Sequence, residues 1–235
     1  MSLTPFSATR PLGRLLRFPL RALPRNLQIP VMTGLNRGLS WKVGAGIHGC
    51  WLGTYERQKM AFLAEFVRPG MTIFDVGAHA GYYTLAFARL VGSSGKVYAF
   101  EPDPENLANL RNHLAVNRIT NADVIDAAVS DRTGSVSFAL SADGYQGKLA
   151  AEGTEVRSVR LDEFPVPDVV KMDIEGAEGT ALLGAQEILK QRKTHFFIAL
   201  HGISDRECLH ELQRHGYETR MISPGELHAW PHGSV

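Results

Sequence analysis

Cysteine is scarce: Cys50 and Cys208 are the two among 235 residues. Two thiols that far apart make no disulfide framework and no metal-ligand spacing, so a reducing, cytoplasmic setting is the default expectation. No run of eighteen apolar residues occurs, so no membrane-spanning helix is expected. Gly-x-Ser-x-Gly is missing, and so is a glycine-rich loop ending in Lys-Ser or Lys-Thr. Those absences set aside a hydrolase nucleophile elbow and a phosphate-cradling loop. Acids are missing from residues 1–55, which carry Arg10, Arg14, Arg17, Arg21, Arg25, Arg37 and Lys42. That segment therefore holds +7 and the remainder −6, an asymmetry that points to an arm touching something acidic. Arg14, Arg17 and Arg21 recur at helical spacing beside leucines. Peripheral contact with a membrane surface is one reading. An amphipathic cap or lid over the chain's own acidic body is the preferred one. Prolines argue against a transit peptide. Nucleic acid is not expected, because the arm lacks interleaved aromatics and the rest is acidic.

What is present fits one α/β domain. A 44% hydrophobic content supports a packed core. The spacing predicts a basic helical or hairpin extension over 1–54 and the main domain over 55–235. Strands are predicted near 71–76, 97–101, 122–128, 168–173 and 195–200, and helices near 80–91, 104–117 and 177–191. A further strand is expected at 134–140, a mobile loop at 141–155, and two closing antiparallel strands at 217–222 and 227–230. Such alternation implies a doubly wound, mostly parallel seven-stranded sheet. Ligands bind such a sheet outside the carboxyl ends of its strands. Asp75, Glu101, Asp126, Asp173 and His201 all fall there.

Two stretches carry the chemistry. Residues 73–81 read Ile-Phe-Asp-Val-Gly-Ala-His-Ala-Gly, and residues 97–103 read Val-Tyr-Ala-Phe-Glu-Pro-Asp. A strand enters a small-residue turn, and the next strand ends in Glu101, twenty residues beyond Gly81. That spacing puts a carboxylate under a ribose, whose hydroxyls are donors. Gly77 allows a tight turn, and Gly81 allows the following helix to pack close to the sheet. Asp75, set just before the glycines, would repel a pyrophosphate and suit a cationic amino acid. S-adenosylmethionine combines adenosine with a cationic aminoacyl tail. Gly44, Gly46 and Gly49 match Gly-x-Gly-x-x-Gly literally, but neither a good buried strand nor a helix start surrounds them, so a loop or hairpin is expected.

The second stretch, Val169 to Glu178, is an apolar strand ending in Lys171, Asp173, Glu175 and Glu178 at a helix start. Helix capping accounts for Glu175 and Glu178, but not for Asp173, which belongs to the strand end and borders the acceptor. If the cofactor is S-adenosylmethionine, transfer of its methyl to a hydroxyl needs in-line alignment and a base for the proton. His201 is the first candidate and Asp173 the second. Asp173 and Glu175 could instead hold a divalent cation such as Mg²⁺. His210-Glu211 and His215 resemble a zinc-protease motif, but their spacing of five separates them around a helix. Solvated helix positions are the expectation.

Tyr55-Glu56, Pro69-Gly70, Asp75 to Thr84, Phe100-Glu101-Pro102 and Lys171 to Glu178 together resemble the FkbM-type methyltransferases over about residues 50–202. The resemblance implies a Rossmann-like class I fold, S-adenosylmethionine as cofactor and methylation of a hydroxyl on a small molecule, sugar, glycolipid or polyketide. It extends the cofactor contacts to Tyr55, Glu56, Ala78, His79, Pro102, Asp126, Ala127 and Asp173. Two departures stand out. The family usually has Asn where this chain has His79, and often an acid where Leu200 precedes His201. The competing class is a cofactor-binding or docking protein that keeps the cofactor pocket without turnover; a homo-oligomer is a separate expectation.

Overall fold

In the computed structural model of the chain, residues 23–140, 147–149, 153–202 and 205–233 are described. The leucine- and arginine-rich part of the basic arm, up to residue 22, lies outside them. The chain divides into two compact units, residues 1–57 and 58–235.

The first unit holds an antiparallel pair, β1 (Gln28–Pro30) and β2 (Ser40–Lys42), with Ile29 opposite Trp41. Trp41 is buried and its indole donates to the Ala45 carbonyl at 2.9 Å. A buried tryptophan needs such a partner. The Gly44–Gly49 run leads into a short helix, α1 (His48–Leu52), where only a loop or hairpin was expected. Gly53 ends that helix in left-handed backbone, where an added Cβ would stand 1.9 Å from the Thr33 carbonyl.

From α2 (Arg57–Ala64) the chain enters β3 (Thr72–Val76), α3 (Tyr82–Val91), β4 (Lys96–Glu101), α4 (Pro104–Val116) and β5 (Ala122–Asp126). Helix α3 is apolar almost all round and buries Tyr82 to Ala88, as a helix inside a core must. Helix α4 starts at Asp103, whose carboxylate accepts from the Asn106 amide at 2.8 Å, with Pro104 in its first turn; both are strong start signals. The predicted strand 122–128 divides. After β5, β6 (Ala128–Val129) leaves for a second sheet with β7 (Gly134–Leu140), β8 (Gly147–Leu149) and β9 (Thr154–Val159), in the order β6-β9-β7-β8. The expected loop 141–155 therefore contains one strand and the start of another.

The main sheet resumes with β10 (Val169–Met172), buried throughout. The single helix expected over 177–191 is two, α5 (Glu178–Leu183) and α6 (Gln186–Gln191). Gly184 passes so close to the Ser130 carbonyl that a Cβ would lie 2.1 Å from it. The Asp162 carboxylate then accepts from the Glu187 and Ile188 amides at 3.1 Å, restarting the helix. Next come β11 (His195–Ala199), α7 (Asp205–Arg214), β12 (Tyr217–Ser223) and β13 (Glu226–Pro231). On α7, His210 is exposed, but Glu211 is buried and bonds Gln186 and Arg214, so only part of that trio is solvated.

The sheet is seven-stranded, in the order β12-β13-β11-β10-β3-β4-β5. β3, β4, β5, β10 and β11 are parallel, and β13 and β12 close it antiparallel. Phe74, Phe100, Phe196, Leu182, Ile188 and Leu212 share its core. In register, Lys171 lies opposite Asp75, and Glu101 opposite Asp126.

Candidate active site

The turn after β3 folds back on β4. The Gly77 and Ala78 amides both donate to the Phe100 carbonyl at 3.0 Å. Gly77 has φ +77, and a Cβ there would meet the Asp173 carbonyl at 2.0 Å. Only glycine lets the two strand ends come so near. Gly81 makes a close approach too, but its Cβ would strike Leu110 of α4 at 2.5 Å. It serves helix-to-helix packing where a helix-to-sheet contact was expected. His79 has φ +51. Asn and His tolerate that left-handed region better than most residues, so His79 suits the backbone of this turn.

Glu101 is 5% exposed. One oxygen accepts from the His79 amide at 2.7 Å and the other from the Asp103 amide at 2.9 Å. Burial pushes its carboxyl up to about 7, although the two amides pull the other way. Pro102 is half-buried, and Ala78 and Ala127 are buried beside these strand ends. Asp126 ends β5 next to Glu101, exposed, with Arg111 at 3.1 Å. Tyr55 and Glu56 belong to the first unit.

Asp75 differs from expectation. It is fully buried, accepts from the Thr84 hydroxyl at 2.6 Å and lies 3.3 Å from Lys171 Nζ. Lys171 also donates to the Gly77 carbonyl at 2.9 Å. Asp75 thus anchors the turn from beneath and presents no open carboxylate to a ligand. The parallel register puts Lys171 beside it, which spacing along the chain could not reveal.

The second half of the site follows β10. Asp173 is tied to β3 through its amide and the Val76 carbonyl at 3.0 Å. A tight turn follows, with φ +55 at Glu175 and +102 at Gly176. Glu178, fully buried, accepts from the Ile174 amide at 3.2 Å and the Gly176 amide at 3.1 Å. It also lies 2.9 Å from His201 Nδ1. His201 Nε2 stands 3.5 Å from both Asp173 Oδ1 and Glu175 Oε2. The hydrogen bond to Glu178 raises the His201 imidazole to about 9, against the effect of burial. Burial works to raise Asp173, but Lys171, Lys59 and His201 outweigh it and hold the carboxyl below its usual range. Glu178 is held low in the same way, chiefly by His201.

Lys59 of α2 was not foreseen. It reaches Glu226 Oε1 at 2.6 Å and Asp173 Oδ2 at 3.9 Å. No periodicity marks it, because its role depends on the closing hairpin. Lys171 and Glu178 were visible in the acidic run, but their partners were not. Leu200 packs against the core, and its amide donates to the Gly225 carbonyl at 2.7 Å.

The model of the Methyltransferase FkbM domain matches residues 75–219, from the base of the glycine turn to the closing hairpin. The chain belongs to the FkbM methyltransferase family. The matched domain includes Glu101, Asp173, Glu178 and His201 and begins after Tyr55 and Glu56. The 31-O-demethyl-FK506 methyltransferase FkbM of Streptomyces tacrolimicus is 43% identical over 68 residues, 29% of this chain and 25% of that protein. The hexuronic acid methyltransferase AglP of Haloferax volcanii is 27% identical over 145 residues, 57% of this chain and 58% of that protein. The chain thus matches less than two thirds of either relative's length. A crystal structure of methyltransferase FkbM from Methylobacillus flagellatus shares the fold, with TM-score 0.53 and 21% identity over 79% of this chain and 56% of that one.

Proposed function

We propose that the chain is an S-adenosylmethionine-dependent methyltransferase that methylates a hydroxyl of a small molecule, sugar, glycolipid or polyketide. The observation that carries the reading is the placing of two acids around one glycine turn. Glu101 ends β4, Asp173 follows β10, and the Gly77 turn of β3 lies between them. Family membership supports methyl transfer, and the names of two relatives specify a hexuronic acid and 31-O-demethyl-FK506 as what those proteins methylate.

S-adenosylmethionine would supply a methyl group on a sulfonium. The residues present fit it. A carboxylate has about four acceptor sites, and the amides of His79 and Asp103 use two of Glu101's, which leaves capacity for ribose hydroxyls. Lys171 and Asp75 hold the turn at fixed height through the Gly77 carbonyl. Asp173 and His201 face one space at adjacent strand ends, where an acceptor hydroxyl would be aligned; the raised imidazole takes its proton only in the neutral form, so turnover should climb as pH rises towards about 9.

Labelled cofactor offered with a panel of sugars, lipids and polyketides tests the reading. His201→Ala should lower turnover by about 10²–10⁴ and leave cofactor affinity unchanged. Tight preference for a nicotinamide dinucleotide would overturn the class. Cofactor binding without transfer to any acceptor would favour a docking protein.

A further inference from the structure

The cluster beside the Gly77 turn has the geometry of a metal centre. We infer that Asp173, Glu175 and His201 form a divalent-cation site, with Glu178 orienting the imidazole. The inference takes its setting from the proposed methyl-transfer site, but its observations are separate.

The first is spacing. His201 Nε2 lies 3.5 Å from Asp173 Oδ1 and 3.5 Å from Glu175 Oε2. One ligand atom from each of the three residues lies within 4.8 Å of the others. Good hydrogen bonds run at about 2.7–3.2 Å, so neither contact is one. Donors bound about 2.1 Å from a shared ion stand about 3.0 Å apart at an octahedral angle and about 3.4 Å at a tetrahedral one. At 3.5 Å these contacts are within ion-pair range, and they also match the separation of about 3.4 Å between two ligands at a tetrahedral angle.

The second is orientation. The other imidazole nitrogen, Nδ1, is 2.9 Å from Glu178, a fully buried acid held by two backbone amides. A carboxylate on one ring nitrogen fixes the tautomer and aims the opposite nitrogen at a metal. Here Nε2 is aimed at Asp173 and Glu175. Glu175 stands in left-handed backbone with its Oε2 3.5 Å from Nε2, and nothing lies within 4 Å of a Cβ built at Gly176.

The third is charge. Asp173, Glu175 and Glu178 surround one imidazole. Lys59 approaches Asp173 from its far oxygen, Oδ2 at 3.9 Å, and is bonded more closely to Glu226. Lys171 is bonded to Asp75 and the Gly77 carbonyl, and its charge also helps hold Asp173 ionised. Oδ1 of Asp173 is left facing His201.

Two carboxylate oxygens and one imidazole nitrogen suit a cation that accepts both donor types, of the Mn²⁺ kind. With Nε2 on the ion, His201 would no longer be the base, and the ion would instead lower the pKa of the acceptor hydroxyl; three protein ligands leave positions for two oxygens of an acceptor. The substrate class that fits is one offering adjacent oxygens, such as a vicinal diol of a sugar.

The test uses the full chain, stripped with chelator and titrated with Mn²⁺ while the free ion is followed by electron paramagnetic resonance. One saturable site per chain is expected. Asp173→Asn and Glu175→Gln should each weaken it at least tenfold, and Glu178→Gln by about 10–100-fold. Unchanged S-adenosylmethionine affinity by calorimetry in Glu175→Gln shows that this variant is folded. No saturable binding at millimolar Mn²⁺, or equal binding in all three variants, overturns the site. Full methyl transfer by a chelated chain that binds no Mn²⁺ would remove the metal and leave the proposed function standing. Saturable Mn²⁺ binding without cofactor binding would do the reverse.

Discussion

Glu101 shows how one residue couples burial to binding. Its folded carboxyl is raised to about 7 by burial, so the folded chain holds a proton there that an unfolded chain has lost. Its contribution to stability therefore declines as pH rises from about 4.5 to 7. Ribose hydroxyls are donors and select the ionised form. Cofactor affinity should then rise about tenfold between pH 6 and pH 8, and Glu101→Gln should flatten that rise. Calorimetry at the two pH values checks it, and a pH-independent wild type removes Glu101 from the ribose contact. Glu101→Ala should cost roughly 1.5–3 kcal/mol of binding. Asp75 was equally conspicuous in the sequence, yet Lys171 and Thr84 hold it inside. The motif located the acid, but the cross-strand register decided what it meets.

At the scale of elements, the break between α5 and α6 depends on one distant carboxylate. Asp162 caps α6 from 25 residues away, so Asp162→Ala should destabilise the chain by about 0.5–2 kcal/mol, a typical loss for a helix cap. A thermal melt unchanged in that variant would show that the Gly184 approach alone makes the break. The closing hairpin has its own pH signature. His228 of β13 stacks on Phe197 and its Nε2 lies 3.1 Å from His195 Nδ1. Burial lowers His228 to about 4 and lowers His195 as well. The folded chain keeps these rings neutral, whereas the unfolded chain takes up protons near pH 6.5. Stability is thus complete above about 6.5 and lost as pH falls through that value towards 4. Between pH 7.5 and pH 5 the His228 contribution to urea stability should fall by on the order of 2 kcal/mol, opposite in sign to that of Glu101, so the wild type and a His228 variant are compared at both pH values. His228→Phe should lose about that much less stability than the wild type over this interval.

At the scale of the molecule, the residues assigned to cofactor and acceptor within the matched domain all belong to unit 58–235. Removing residues 1–40 should leave cofactor affinity within about threefold, under the tenfold that 1.4 kcal/mol represents. Calorimetry on the shortened chain reads it, and lost binding would show that the second unit depends on the first. The +7 of residues 1–55 against −6 elsewhere remains the motive for a lid or a membrane contact. Exposed attractions of that kind weaken over a Debye length of about 8 Å at physiological salt.

The sequence by itself determined the layered α/β plan, because apolar runs and glycine turns are local signals that fix period and chain reversal. It also placed Glu101, Asp173 and His201 at strand ends, since alternation sets where a parallel strand must stop. Tertiary structure alone decided what those groups touch. Lys171 reaches Asp75 only through the β3–β10 register. Lys59 meets Glu226 across 167 residues. Glu178 turns from helix start to partner of His201 because β11 ends beside α5. The divided helix was hidden for the same reason, since Gly184 and Asp162 meet backbone far away in sequence, and so was the second sheet, whose strands β6 and β9 pair across about thirty residues. Charge pairing and close approach are set by distance in space, and a pattern along one chain carries only distance in sequence.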